Sequence, residues 1–218
     1  MADQKIYPGQ ETMKFTAEMT TSITHELKNK LAVVNENAGL IQDLLFMGKQ
    51  GRAVDMERFE TISQKIQEQV RLADTIIKKL NGFAQSMEES ETETDVAQAL
   101  KSVLSLTAHL IEKYECEIAV TAQEAPWIIN ADPFCFKHLL WTVIKSVCAS
   151  EGNTGPVHIS LDKEASSLVF RFNGNKKEIC DEINKTTALN ILAKQMEIKV
   201  RTIKDHNGIG IFWSSMQR

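Results

Sequence analysis

Between residues 10 and 48, apolar side chains fall at Phe15, Met19, Ile23, Leu27, Leu31, Val34, Ala38, Ile41 and Leu45. The steps are three or four, the spacing of one face of a helix. The stretch has no Pro and almost no Gly. After a break at Gly48-Lys49-Gln50-Gly51 the pattern resumes at Met56, Phe59, Ile62, Ile66, Val70, Ala73, Ile77, Leu80, Phe83 and Met87. This predicts two helices, each more than 30 residues long, joined by a short loop and therefore antiparallel. Helices this long with an apolar stripe need more than one partner, so two hairpins are expected to pair into a four-helix bundle, making the protein a homodimer.

A composition shift follows. Residues 88–95 are acidic and polar and read as a linker or as the capped start of the next helix. Beyond them helices are predicted over 96–112, 134–149 and 186–196, and strands over 117–121 and 127–129. Residues 157–161 with 168–172, and 198–203 with 209–213, read as two hairpins, the second turning at Asn207-Gly208. The expected fold class is α+β: an N-terminal two-helix hairpin over residues 1–90, then an α/β sandwich over 91–218.

Composition narrows the function classes. A net charge of −4 gives no basic face for nucleic acid or a membrane surface. No apolar run is long enough to span a bilayer, and the polar start has no signal-peptide core, so a cytoplasmic setting is expected. Cys116, Cys135, Cys148 and Cys180 show no CxxC pairing, which fits reduced thiols better than a zinc site or a disulfide framework.

The candidate chemistry lies in His25-Glu26-Leu27-Lys28-Asn29-Lys30-Leu31. His25 is two residues from Ile23 and two from Leu27, about 200° around the helix from each, so its imidazole is expected to face solvent. Asn29, four residues on, shares that face, and adjacent Glu26 can reach one ring nitrogen. An exposed neutral imidazole is a nucleophile near neutral pH, a carboxylate on one ring nitrogen leaves the other free to attack, and an amide one turn away can hold a water or a phosphoryl oxygen. A zinc-protease HExxH site would need a second histidine where Asn29 stands, so no metal site is expected. Lys28 and Lys30 flank the histidine and either attract an acidic partner or are simply solvated. His109, His138, His158 and His206, and Trp127, Trp141 and Trp213, read as structural background.

His25-Glu26-Leu27-Lys28-Asn29 resembles the phospho-accepting box of two-component histidine kinases, and the hairpin followed by an α/β domain is similar to that family's layout. The resemblance implies that His25 is the phospho-acceptor, that Glu26 assists phosphoryl transfer, and that Asn29 orients an attacking water in any dephosphorylation. It implies response-regulator receiver domains as partners. The Pro that usually follows Asn29 is Lys30 here, which leaves the helix unkinked.

The family's ATP motifs depart further. Lys145, in Leu139-Leu140-Trp141-Thr142-Val143-Ile144-Lys145-Ser146, stands where a magnesium-binding Asn is expected, and an ammonium cannot ligate a cation. Phe172-Asn173-Gly174-Asn175-Lys176 replaces Asp-x-Gly-x-Gly, and no glycine precedes the last helix, where a phosphate lid is expected. Gly208-Ile209-Gly210 falls in the terminal hairpin. The chain therefore resembles dimeric histidine phosphotransferases with a degenerate ATP-binding domain. It is expected to hold no cofactor of its own, with Mg2+ arriving on the receiver domain. The rival expectations are a divergent histidine kinase, a scaffold or pseudokinase that sequesters a regulator, and a phosphatase using Asn29.

Overall fold

The structure is a computed structural model that describes residues 9–121, 126–149, 155–162, 167–171, 187–203 and 208–213. It is α+β, a long helical hairpin followed by an α/β sheet domain. The chain divides into two compact units, Thr20–Gly82 and a second made of Met1–Met19 with Phe83–Arg218.

The first unit is built from the long helices α1 (Gly9–Lys49) and α2 (Met56–Glu88). Helix α1 ends where Gly51 takes a left-handed φ of +77° and its N–H donates to the Gly48 carbonyl at 3.0 Å. Asp55 then accepts from the Glu57 N–H at 2.9 Å at the start of α2. The buried and half-buried positions of α1 here include Ile23, Leu27, Lys30, Val34, Asn37, Ile41 and Leu44. Those of α2 include Phe59, Ile62, Ile66, Gln69, Ala73, Ile76 and Leu80. Steps alternating between three and four place them on one coiled-coil-like seam. Leu31 (53% exposed), Leu45 (51%), Val70 (53%) and Ile77 (44%), expected in the stripe, lie outside that seam. Lys30 and Asn37 take the seam positions instead, and the Asn37 side chain is satisfied by the Val33 carbonyl at 2.7 Å.

The second unit begins with two strand–cap–helix segments laid side by side. Strands β1 (Thr92–Asp95) and β3 (Ile128–Ala131) pair antiparallel, with Thr92 opposite Ala131 and Asp95 opposite Ile128. Each leads into a helix capped by aspartate. Asp95 accepts from Ala97 and Gln98 N–H at the start of α3 (Val96–Leu106). Asp132 accepts from Phe134 and Cys135 N–H, both at 3.0 Å, at the start of α5 (Pro133–Cys148), where Pro133 occupies the first turn. Residues 96–112 do not form the single helix expected. At Thr107 the backbone leaves the helical region (φ −108°, ψ 7°), which ends α3 and starts the short α4 (Ala108–Lys113), while its hydroxyl donates to the Val103 carbonyl at 2.7 Å.

The main sheet has five strands, β2 (Ile118–Thr121), β4 (Val157–Asp162), β5 (Ser167–Arg171), β6 (Ile198–Ile203) and β7 (Gly208–Trp213), in the order β2-β4-β5-β7-β6. Among the described residues β2 and β4 pair parallel and the other neighbours of this sheet pair antiparallel. In β4, Val157 and Ile159 are buried and His158 is exposed, the alternation of a sheet packed on one face. Helix α6 (Thr187–Gln195) leads into β6. The core centres on Trp127, Phe134, Phe136, Leu139, Leu140, Ile144, Ile159, Leu168 and Phe170.

The ends of the long helices belong to this unit. Phe15, Phe83 and Phe134 have ring centroids 5.4–5.8 Å apart, and the His138 ring stacks on Phe15 at 4.5 Å and 5°. Beside them, Glu18 accepts from the Trp141 indole N–H at 2.7 Å with one carboxylate oxygen and from the Lys145 ammonium with the other. Replacing Glu18 by Ala leaves the buried indole N–H without its acceptor. That variant is expected to lose about 1–2 kcal/mol of stability in urea unfolding, while Lys145→Met, on a side chain 39% exposed, should lose less.

Candidate functional site

His25, Glu26 and Asn29 all lie on α1 within the helical unit, so their spacing is set by the helix itself. His25 and Asn29 are exposed and Glu26 is half-buried. Asn29 Nδ2 lies 3.4 Å from His25 Nδ1, a long hydrogen-bond contact one turn apart. A carboxamide can serve either tautomer. Its NH2 donates to a lone pair on Nδ1, or, turned over, its carbonyl accepts from Nδ1–H. The second arrangement leaves the Nε2 lone pair free for attack. The structure thus places Asn29 beside the ring.

Ile23 and Leu27 on either side of His25 turn inward, which rotates the imidazole outward. Lys28 is exposed and Lys30 is half-buried in the seam, so only Lys28 of the flanking pair is presented fully to solvent.

In the α/β unit, Lys145 sits on α5 with its ammonium paired to Glu18. A cation, already engaged, therefore occupies the place where the resemblance asks for a magnesium ligand. Residues 172–176 and 180–186, where the other departures from the ATP motifs fall, lie outside the described residues, as do Cys180 and His206. Gly208 and Gly210 are strand residues in β7. A Cβ at Gly208 would meet the Phe170 carbonyl oxygen at 2.9 Å, and one at Gly210 would run into the Phe212 ring. Close strand packing accounts for both glycines.

Glu18 was not legible as a partner of Trp141 and Lys145, because they stand 123 and 127 residues away along the chain. Among the described residues no helix is long and apolar enough to cross a membrane.

No family model and no curated protein matches this chain. Solved structures do. The cytoplasmic segment of histidine kinase QseC matches at 12% identity over 66% of this chain and 95% of its own, with a TM-score of 0.46. A bacterial phosphotransferase matches at 10% over 95% of this chain and 97% of its own, TM-score 0.42. Histidine kinase ThkA, in complex with response regulator protein TrrA, matches at 18% over 93% of this chain and 62% of its own, TM-score 0.40. At these identities and scores they are likenesses and carry no step of the functional reading.

Proposed function

We propose that this protein is a histidine phosphotransferase of a two-component relay, in which His25 takes a phosphoryl group from one receiver domain and passes it to another. The observation that supports this most is His25 itself, an exposed imidazole on a long regular helix with an amide one turn away at its Nδ1. The donor is an aspartyl phosphate. Nε2 attacks phosphorus, the N–P bond forms, and the P–O bond to the aspartate breaks, releasing a carboxylate on the receiver. With its carboxamide turned over, the Asn29 carbonyl accepts a hydrogen bond from Nδ1–H as positive charge develops on the ring. Running the same exchange backwards on a second receiver completes the relay. Catalysis is positioning and charge stabilisation, with Mg2+ supplied by the receiver. Glu26 is assigned a supporting role beside the ring.

Purified protein mixed with a phosphorylated receiver domain is expected to acquire acid-labile, base-stable label. Label that is acid-stable, or none at all with any receiver tried, would sink the reading. Magnesium-ATP titrated in a calorimeter should give no binding heat up to millimolar nucleotide, since Lys145 stands where the resemblance asks for a magnesium-binding Asn and an ammonium cannot ligate a cation. Micromolar binding would make a divergent histidine kinase the better reading.

The working unit is a homodimer. Leu31, Ala38 and Leu45 on α1, and Val70 and Ile77 on α2, repeat every seven residues outside the intrachain seam. This second seam presents the same side chains from each copy, as a two-fold four-helix bundle requires. It adjoins an apolar cleft of about 330 Å3 lined by Leu44, Leu45, Val54 and Phe59. Leu45→Glu with Ile77→Glu is expected to raise the dimer dissociation constant roughly a hundredfold or more by placing like charges in the seam. Sedimentation at micromolar concentration should then show monomer.

A further inference from the structure

Two thiols in the α/β unit are held face to face by the ends of two helices. Cys148 is the last residue of α5, and the Ala149 N–H behind it still donates to the Lys145 carbonyl at 2.8 Å. Cys116 follows α4. There Glu115 takes a left-handed φ of 52°, its N–H reaches the Glu112 carbonyl at 2.9 Å, and the Cys116 N–H reaches the Ile111 carbonyl at 3.3 Å. This pair of bonds is a complete left-handed helix terminus, built on a glutamate where glycine is usual. Backbone in that region is costly for a residue with a Cβ, and here it turns the chain so that Cys116 meets the end of α5. The two sulfurs lie 2.7 Å apart, with the Cys148 S–H donating to Cys116.

We propose that Cys116 and Cys148 form a redox-active dithiol that peroxide closes into a disulfide, a modification independent of the phosphotransfer reading. The two positions have the division of labour such a pair needs. Cys116 is half-exposed and meets the oxidant, whereas Cys148 is buried. The hydrogen bond from Cys148 holds the Cys116 thiol below its ordinary range, and the same bond, with burial, pushes Cys148 up. Cys116 is therefore the thiolate that attacks. It displaces hydroxide from hydrogen peroxide, gaining an S–OH bond, and its proton leaves with the hydroxide as water. Once Cys116 is uncharged, the thiolate that held up Cys148 is gone. Cys148 then gives up its proton and displaces hydroxide from the sulfenic acid, forming the S–S bond and a second water. The two sulfurs together lose two electrons, and the two peroxide oxygens gain them. Bond formation needs the sulfurs to close by about 0.7 Å to reach disulfide length. The bond would tie residues 32 apart, pinning the end of α5 to the entry of edge strand β2.

The full chain is treated with a few equivalents of hydrogen peroxide, alkylated, digested and analysed by mass spectrometry. The expected product is a cross-linked peptide pair carrying Cys116 and Cys148, two hydrogens lighter than the thiols and restored by dithiothreitol. The oxidised protein should melt roughly 5–10 °C higher, because the cross-link restricts the unfolded chain. Cys135→Ser should leave both results unchanged, and Cys116→Ala should remove both. Both thiols still alkylated after peroxide, Cys116 carried on to sulfinic or sulfonic acid beside an intact Cys148, or a cross-link through Cys135 or Cys180 would each overturn the proposal. The wild-type peptide map needs no variant, so a misfolded variant does not decide the question.

Discussion

His25→Gln is expected to abolish phosphoryl acceptance, lowering the transfer rate from a phosphorylated receiver by at least roughly a thousandfold, to background. Glutamine keeps a polar side chain on an exposed helical position and is a good helix former, so the fold and the hairpin seam are left as they are. What is lost is the nitrogen lone pair: an amide nitrogen is delocalised into its carbonyl and does not attack phosphorus. The variant should match wild type in circular dichroism and dimerisation and still bind the receiver, so the defect is chemical. Rapid-quench transfer of label from the receiver measures it directly. Asn29→Ala, which removes only the amide beside Nδ1, should slow transfer without abolishing it. If it instead leaves transfer intact and lengthens the lifetime of the receiver's phosphate, Asn29 acts on water, and the protein is a phosphatase as well. His25→Gln transferring like wild type would place the acceptor elsewhere.

Much of this arrangement is legible in the sequence because it is local. Apolar steps of three and four mark α1 and α2 to within a residue or two of their observed ends, and alternation marks β4, β5, β6 and β7. The outward position of His25 follows from Ile23 and Leu27 alone. The stripe itself was drawn one residue off at Leu31, Leu45, Val70 and Ile77, for a physical reason. These helices carry apolar residues on more than one edge, and a count of apolar residues merges the edges, while the intrachain seam admits Lys30 and Asn37, whose polarity hides them. Residues 92–95 read as linker because Thr92, Glu93, Thr94 and Asp95 carry no apolar signal. They are a strand because the partner Ile128–Ala131 is there to pair with, although Asp95 as a helix cap was readable. The break at Thr107 is a local change of backbone dihedral, which no periodicity reports. Least legible were the contacts of high sequence separation, Glu18 with Trp141 and Lys145, and Phe15 with Phe134 and His138. His138 read as structural background, and it is a buried ring stacked on Phe15.

Stability is expected to fall by about 3 kcal/mol between pH 7 and pH 4, with His138 as the main histidine contribution. The residue is 4% exposed, its ring lies flat on Phe15, and its Nδ1 has no hydrogen-bond partner among the described residues. Burial disfavours the imidazolium and lowers the folded pKa from 6.5 to about 4, although the carboxylates of Glu11 and Glu18 pull the other way. In the unfolded chain the ring titrates near its ordinary value. Between pH 6.5 and 4 the unfolded state therefore binds the extra proton and the folded state does not, and unfolding becomes easier as pH falls. Above pH 6.5 both states are neutral at this ring and its contribution to the slope vanishes. Urea unfolding at pH 7.0, 5.5 and 4.5 measures the slope. His138→Phe keeps a ring against Phe15 and should flatten the part of the curve below pH 6.5, leaving the residual slope of the carboxylates. An unchanged slope in that variant would mean the imidazole takes its proton in the folded state as readily as in the unfolded one. The attraction of the Glu11 and Glu18 carboxylates, or a water at Nδ1, would then offset the cost of burying the charge.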